Sequence, residues 1–182
     1  MVEESFPQFI NPTPLGKDFI RFDFLTPDFC DYIVQAAENQ DWSSNRFDAY
    51  KTQDVYLEDS MKGLYDTINL HLEERIWPSV IKYWDIDPIK TATAFVLKYS
   101  MESQKSLHLH HDESHISGSV KLNDAYEGGV LEFPRQVFTN EELKVGQLLC
   151  WPSKITHPHL STELISGTKY SLTIWTQEEN VS

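Results

Sequence analysis

The chain has 182 residues, of which 40% are hydrophobic and 24% charged, and a formal net charge of −13. That length supports one core and excludes two ordinary domains, and the charge excludes binding a polyphosphate backbone through a basic face. No apolar run reaches the length of a membrane span, and the acidic start "MVEESFPQF" reads against a secretory leader.

Cys30 and Cys150 lie far apart and share no metal-type spacing. They read as buried thiols of a reducing compartment, so a cytoplasmic protein is expected. An acidic surface is compatible with a cationic substrate, although such surfaces commonly serve solubility alone.

Along the chain, the first 25 residues read as an extended entry segment punctuated by Pro7, Pro12 and Pro14. A helix start follows in "TPDFCDYIVQAAENQ", with Thr26 as cap, Pro27 at the first helical position and Asp28 in the first turn. Phe29, Ile33, Ala36 and Ala37 give its apolar stripe. "NQDWSSNRFDAYKT" is polar and turn-rich. A second helical pattern covers "DSMKGLYDTINLHLEERIW", with Met61, Leu64, Tyr65, Ile68 and Leu72 at helical spacing. Pro78 then kinks the chain or starts another helix.

From about residue 91 the pattern changes to short, aromatic and β-branched stretches separated by turn signals, such as "TATAFVLKYS", "GGVLEFP" and "KYSLTIWTQ". Helices first and strands afterwards predict an α+β fold with helices packed on one sheet. Strands of this length suit a jelly roll, a double-stranded β-helix of the cupin-like type. Leu131, Phe133, Leu148, Cys150, Trp151 and Trp175 are positioned to line or pack the barrel.

Six of the seven histidines fall in two places, "SLHLHHDESH" and "ITHPHLS". Metal ligands on one strand share a face, so they come at i and i+2. Three pairings stay open: His108 with His110, His110 with Asp112, or His111 with Glu113. Three imidazoles suit zinc; two imidazoles and a carboxylate suit non-haem Fe(II) with three open positions. An H-x-D pair followed later by a lone histidine is the usual linear form of the second set.

Shortly after comes "SGTKYSLTIW", in which Gly167 permits a tight turn. Lys169, Ser171 and Thr173 share one face of the following strand, and Tyr170, Leu172 and Ile174 the other. A lysine among hydroxyls, on a face lining a barrel, suits an anionic carboxylate; an edge-strand lysine that deters aggregation is the plain alternative.

These stretches resemble the 2-oxoglutarate- and Fe(II)-dependent dioxygenases, in particular the catalytic domain of the procollagen lysyl hydroxylases and their prolyl 4-hydroxylase relatives. "FVLKYSMESQKSLHLHHDESHISGSVKLN" is similar to that family's strand, loop and metal segment. "YEGGVLEF" is similar to its glycine-pair strand, and "VGQLLCWPSKITHPHLSTELISGTKYSLTIW" to its closing segment. The resemblance implies a single dioxygenase domain over 1–182, with a helical support region at 1–90 and a jelly-roll core at 91–178.

It implies His110, Asp112 and His159 as iron ligands, His111 pointing away, and His108 and His157 as supporting neighbours. It implies Lys169 for the far carboxylate of 2-oxoglutarate, with Tyr99 and Ser171 as further contacts. Lysyl hydroxylases carry arginine where this chain has Lys169; collagen prolyl 4-hydroxylases carry lysine.

The implied cofactors are Fe(II), 2-oxoglutarate as cosubstrate and O₂, with ascorbate as a stimulant. The expected reaction is hydroxylation of an unactivated C–H bond, of a basic, lysine-like amino acid or peptidyl residue, with release of succinate and CO₂. Small molecules or peptides, not nucleic acids or membranes, are the expected partners, and "RFDAYKTQD" and "SMESQK" are candidate rim loops. The alternatives are a jelly-roll module that binds a metal or ligand without catalysis, and a zinc hydrolase, for which the H-E-x-x-H helix is missing.

Overall fold

The computed structural model describes residues 5–43 and 52–179; part of the first candidate rim loop, 46–51, lies outside them. The entry segment forms β1 (Thr13–Leu15) and β2 (Phe19–Asp23). Helix α1 (Pro27–Glu38) starts as its sequence predicts: Thr26 is extended and its hydroxyl accepts from the Phe29 N–H. Cys30, Ile33 and Ala37 are its buried stripe.

Strand β3 (Gln53–Tyr56) leads into α2 (Leu57–Ser60) and α3 (Lys62–His71). A π-helical turn, Leu72–Ile76, joins α3 to α4 (Trp77–Trp84). Pro78 sits at the second position of α4, directly after the π-helical turn. Helix α4 ends at Asp85 in the left-handed region, φ 51°.

The strand-rich half supplies β4 (Ile89–Ser100), β5 (Leu107–His110), β6 (Ile116–Lys121), β7 (Tyr126–Gly128), β8 (Leu131–Phe133) and β9 (Phe138–Thr139). Strands β10 (Gln147–Pro152), β11 (His159–Ser161) and β12 (Leu164–Glu178) complete it. The major sheet runs β1-β2-β10-β6-β12-β4-β3, with β7 also on β12; the minor sheet runs β5-β11-β8-β9. All pairs are antiparallel. This is the expected α+β jelly roll with helices on one sheet.

Three strands of the first half, β1, β2 and β3, were hidden in the sequence. The proline-punctuated entry gives β2, which extends the major sheet beside β10. The end of the polar stretch gives β3, which pairs with β4. Gly167 makes no turn; it is a left-handed residue, φ 79°, inside β12, where a Cβ would stand 2.4 Å from the Ala125 carbonyl oxygen.

The major sheet divides the molecule by strand alternation. Val96, Val120, Leu148, Cys150, Leu172 and Ile174 face the helices and pack with Ile33, Leu72, Trp77 and Val80. Trp77 also donates its indole N–H to Thr91 Oγ1 at 3.0 Å. Leu148 and Cys150 therefore pack outside the barrel, one residue out of phase with Leu149 and Trp151, which join Phe19 and Phe133 between the sheets. Among the described residues no helix is long and apolar enough to cross a membrane.

Candidate metal centre

The mouth between the sheets opens into a cavity of about 360 Å³. His110, Asp112 and His159 meet at its wall, with one ligand atom from each within 4.8 Å of the others. Asp112 Oδ1 lies 3.4 Å from His110 Nε2 and 3.5 Å from His159 Nε2. Donors that share one metal at about 2.1 Å stand between about 3 and 4 Å apart, so the three atoms can close on one ion.

The arrangement arises from β5 pairing with β11. His159 stands opposite His110, but Ser161 stands opposite Leu107, so β5 carries one extra residue. This bulge lets Leu107 and His110 both line the cavity while His108 and Leu109 are exposed. Strict alternation, which would group His108 with His110, fails here. Asp112 lies just beyond the end of β5.

The tautomer of each imidazole is fixed locally. His110 Nδ1 is 2.7 Å from the His108 carbonyl, and His159 Nδ1 is 3.0 Å from the His157 carbonyl. A carbonyl only accepts, so both Nδ1 atoms carry the proton and both Nε2 lone pairs are free for a metal. Ser117 donates to Asp112 Oδ2 at 2.6 Å, leaving Oδ1 turned to the histidines.

Without a metal, both Nε2 atoms also take up a proton and face Asp112. Burial pushes the Asp112 carboxyl up, but these contacts with His110 and His159 and the Ser117 hydroxyl outweigh it, so the carboxylate stays ionised. A metal would replace the two Nε2 protons. Burial likewise works to lower His110, and the bonds to Asp112 and to the His108 carbonyl raise it. The donor set, two neutral imidazoles and one carboxylate on one side, fits Fe(II) with open positions remaining.

The other histidines stand apart. His111 is exposed at the mouth, its Nε2 3.1 Å from the Ile155 carbonyl. His115 pairs with Glu178, and the His157 ring packs edge-on against Phe19. For His108 and His157 it is the backbone carbonyl, not the ring, that supports the ligands. Ser117, too, was not foreseen, since a serine on a strand carries no sequence signal of its own.

Lys169, Ser171 and Thr173 line the same cavity. Lys169 is only 5% exposed. It donates to the Gly129 carbonyl at 2.7 Å and to Ser161 Oγ at 3.3 Å. Gly129 has φ +60°, and a Cβ there would come within 3.1 Å of the Lys169 side chain, so the glycine lets the lysine pass. Burial, then the charge of Lys121, lowers the Lys169 ammonium to about 7. Tyr99 is paired with Lys169 across β4 and β12, and its ring centroid lies 4.7 Å from the ammonium. Burial pushes the Tyr99 phenol up, so it stays protonated.

His159 and Ser161 are two apart on β11, which places their side chains about 7 Å apart on one face. The metal site and the Ser161–Lys169 pair are thus separated by roughly the length of a five-carbon diacid, with C–C bonds of about 1.5 Å. Of the candidate rim loops, Thr52 and Asp54 line the cavity, and no residue of 100–105 does.

No family model matches the chain. It is 28% identical over 171 residues to a multifunctional procollagen lysine hydroxylase and glycosyltransferase of Caenorhabditis elegans, covering 84% of this chain and 23% of that one. A procollagen lysyl hydroxylase and glycosyltransferase of Acanthamoeba polyphaga mimivirus is 29% identical, covering 88% and 19%. The chain thus spans about a fifth to a quarter of the length of these relatives. Among solved structures, a viral collagen prolyl hydroxylase from Paramecium bursaria Chlorella virus-1, in complex with 2-oxoglutarate, superposes with a TM-score of 0.69 at 17% identity, covering 90% of this chain and 98% of that one. The chain resembles the lysyl and prolyl hydroxylases of the 2-oxoglutarate/Fe(II) dioxygenase superfamily. A Pseudomonas putida prolyl-4-hydroxylase shares the fold at a TM-score of 0.60 and 15% identity, over 90% of this chain and 94% of that one.

Proposed function

We propose that this protein is a 2-oxoglutarate- and Fe(II)-dependent hydroxylase. The observation that carries it is the convergence of His110 Nε2, Asp112 Oδ1 and His159 Nε2, with both tautomers set by carbonyls, on a cavity that also holds Lys169. Fe(II) bound there, with 2-oxoglutarate and O₂, supplies an oxidant that turns a C–H bond into C–OH, with 2-oxoglutarate leaving as succinate and CO₂.

The protein's own groups orient and enclose. His110, Asp112 and His159 would hold the metal by one side, leaving the opposite side to ligands. Lys169 would hold the far carboxylate of 2-oxoglutarate, in place of its present neutral acceptors, with Ser171 and the protonated Tyr99 phenol as further donors. Leu131, Trp151 and Trp175 give the cavity apolar wall that limits water.

The substrate we infer is a basic, lysine-like amino acid or peptidyl residue. Besides the ligand Asp112, two carboxylate residues, Asp54 and Glu113, line the cavity, which suits an ammonium group. The two relatives compared above are procollagen lysyl hydroxylases by name, which supports the same class.

The test is succinate release from 2-oxoglutarate with Fe(II) under air, for the wild type and Asp112→Ala. Turnover is expected in the wild type and not in the variant; equal turnover in both overturns the ligand assignment. Lysine and lysine-bearing peptides are then incubated and weighed for the gain of one oxygen. No gain from any cationic substrate overturns the substrate class and leaves the chemistry standing.

A further inference from the structure

Lys121 is a second cation of the same cavity. It stands opposite Ser171 across β6 and β12, and Lys169 lies two residues before Ser171. Diagonal neighbours of this kind share a sheet face within reach of long side chains. Lys121 Nζ donates to the Leu143 carbonyl at 3.1 Å, and Lys169 donates to a carbonyl and a hydroxyl. Every one of these acceptors is neutral. Among the described residues, no ion pair involves either lysine.

That is unusual company for two ammonium groups in a chain of net charge −13. Lys169 is buried and Lys121 partly so; buried charge is normally paired, and carboxylates abound elsewhere in this protein. The Lys121 charge is felt at Lys169, where it adds to the effect of burial. The Lys121–Lys169 end of the cavity therefore has two amino groups with no carboxylate paired to either, which an anionic ligand would supply.

We propose that Lys121 and Lys169 together form a two-lysine clamp on the far carboxylate of 2-oxoglutarate, which makes Lys121 a cosubstrate-binding residue. This rests on the function proposed above. A single lysine is a point charge and lacks the two-pronged contact of a guanidinium. A carboxylate offers two oxygens and about four lone-pair sites, so each ammonium can take one oxygen. Ser171, between the lysines on the sheet, faces the same space.

The test is calorimetric titration of Mn(II)-loaded protein, without oxygen, with 2-oxoglutarate and with 2-oxopentanoate, which has a methyl in place of the far carboxylate. Lys121→Met is expected to weaken 2-oxoglutarate by about tenfold or more and to leave 2-oxopentanoate unchanged. Lys121→Arg is expected to restore most of the lost affinity. If Lys121→Met does not fold by circular dichroism, Lys121→Gln, which can still donate to Leu143, takes its place with the same readouts. Equal 2-oxoglutarate affinity in wild type and variant overturns the clamp, as does an equal loss for both ligands. Wild-type protein that binds no 2-oxoglutarate and releases no succinate overturns the function proposed above; wild-type binding and turnover with an indifferent Lys121→Met overturns the clamp alone.

Discussion

His159 donates its Nδ1 proton to the backbone carbonyl of His157, two residues earlier, at 3.0 Å, and His110 does the same to His108 at 2.7 Å. Both ligands therefore sit in an H-x-H tripeptide whose first histidine contributes only its main chain. His108→Ala should leave metal affinity within about twofold of wild type, because a backbone acceptor survives the change. Titration with Mn(II) or Ni(II) measures this; a loss comparable to that of His110→Ala would mean that the His108 ring takes part.

Ser117 provides the contrast, because its side chain is the donor. Removing the 2.6 Å bond to Asp112 Oδ2 in Ser117→Ala frees the carboxylate to rotate and leaves a buried oxygen without its partner. Metal affinity should fall about 10- to 100-fold. The same titration decides it, and an unchanged affinity would show that the two histidines alone hold Asp112 in place.

The Lys169 ammonium has a proton affinity that differs between states. Its ordinary value is 10.5, and the fold lowers it to about 7. Between these values the unfolded chain holds more protons, so the contribution to stability rises with pH across that window; below about 7 the full burial penalty applies. The titratable groups facing it are Lys121 and the protonated Tyr99. A dianion bound to Lys169 restores its charge. Binding of 2-oxoglutarate at pH 8 should take up about one proton, and at pH 6 almost none. Calorimetry in buffers of different ionisation enthalpy counts the protons, and no uptake at pH 8 would show that Lys169 is already charged.

Gly129 carries two constraints at once. Its φ of +60° and the 3.1 Å approach of the Lys169 side chain both oppose a Cβ. Gly129→Ala should cost about 1–2 kcal/mol of stability and displace Lys169 as well. Denaturant unfolding and 2-oxoglutarate affinity read the two effects separately; a variant as stable as wild type would show that the loop adjusts.

Phe133 is fully buried between the sheets, in contact with Phe19, Trp151 and the His159 ring, whose centroid is 5.3 Å away. Phe133→Ala should destabilise the protein by about 3–5 kcal/mol, the loss typical of removing a fully buried ring. Urea unfolding checks it, and a loss below about 1 kcal/mol would show that the core collapses onto the cavity.

Much of this was written in residue types. The cap at Thr26, the stripe through Ile68 and Leu72, and the alternation of Lys169, Ser171 and Thr173 are local patterns, and local patterns survive folding. The grouping of His110, Asp112 and His159 was legible through resemblance, but the reason His108 is excluded was not. A bulge depends on what lies across the ladder, and β11 is fifty residues further on. Strands β1 and β2 were masked by the prolines at 7, 12 and 14 that lie in and before β1, and β3 by its polar neighbours, because all three owe their pairing to the strand they meet. Asp54 was legible only as part of a candidate rim loop, and Lys121 not at all, because a lone charged residue on a short strand means nothing until the opposite strand is known.

The two faces of the major sheet have different duties. Val96, Val120, Leu172 and Ile174 on one side carry the packing against the helices. Ser119, Lys121, Ser171 and Thr173 on the other line the cavity. Adjacent residues of a strand thus answer to separate demands, one to thermodynamic survival and the next to ligand choice. Substitutions at the second set can retune what the cavity accepts while drawing little on the reserve that keeps the chain folded, which makes this sheet a permissive substrate for divergence.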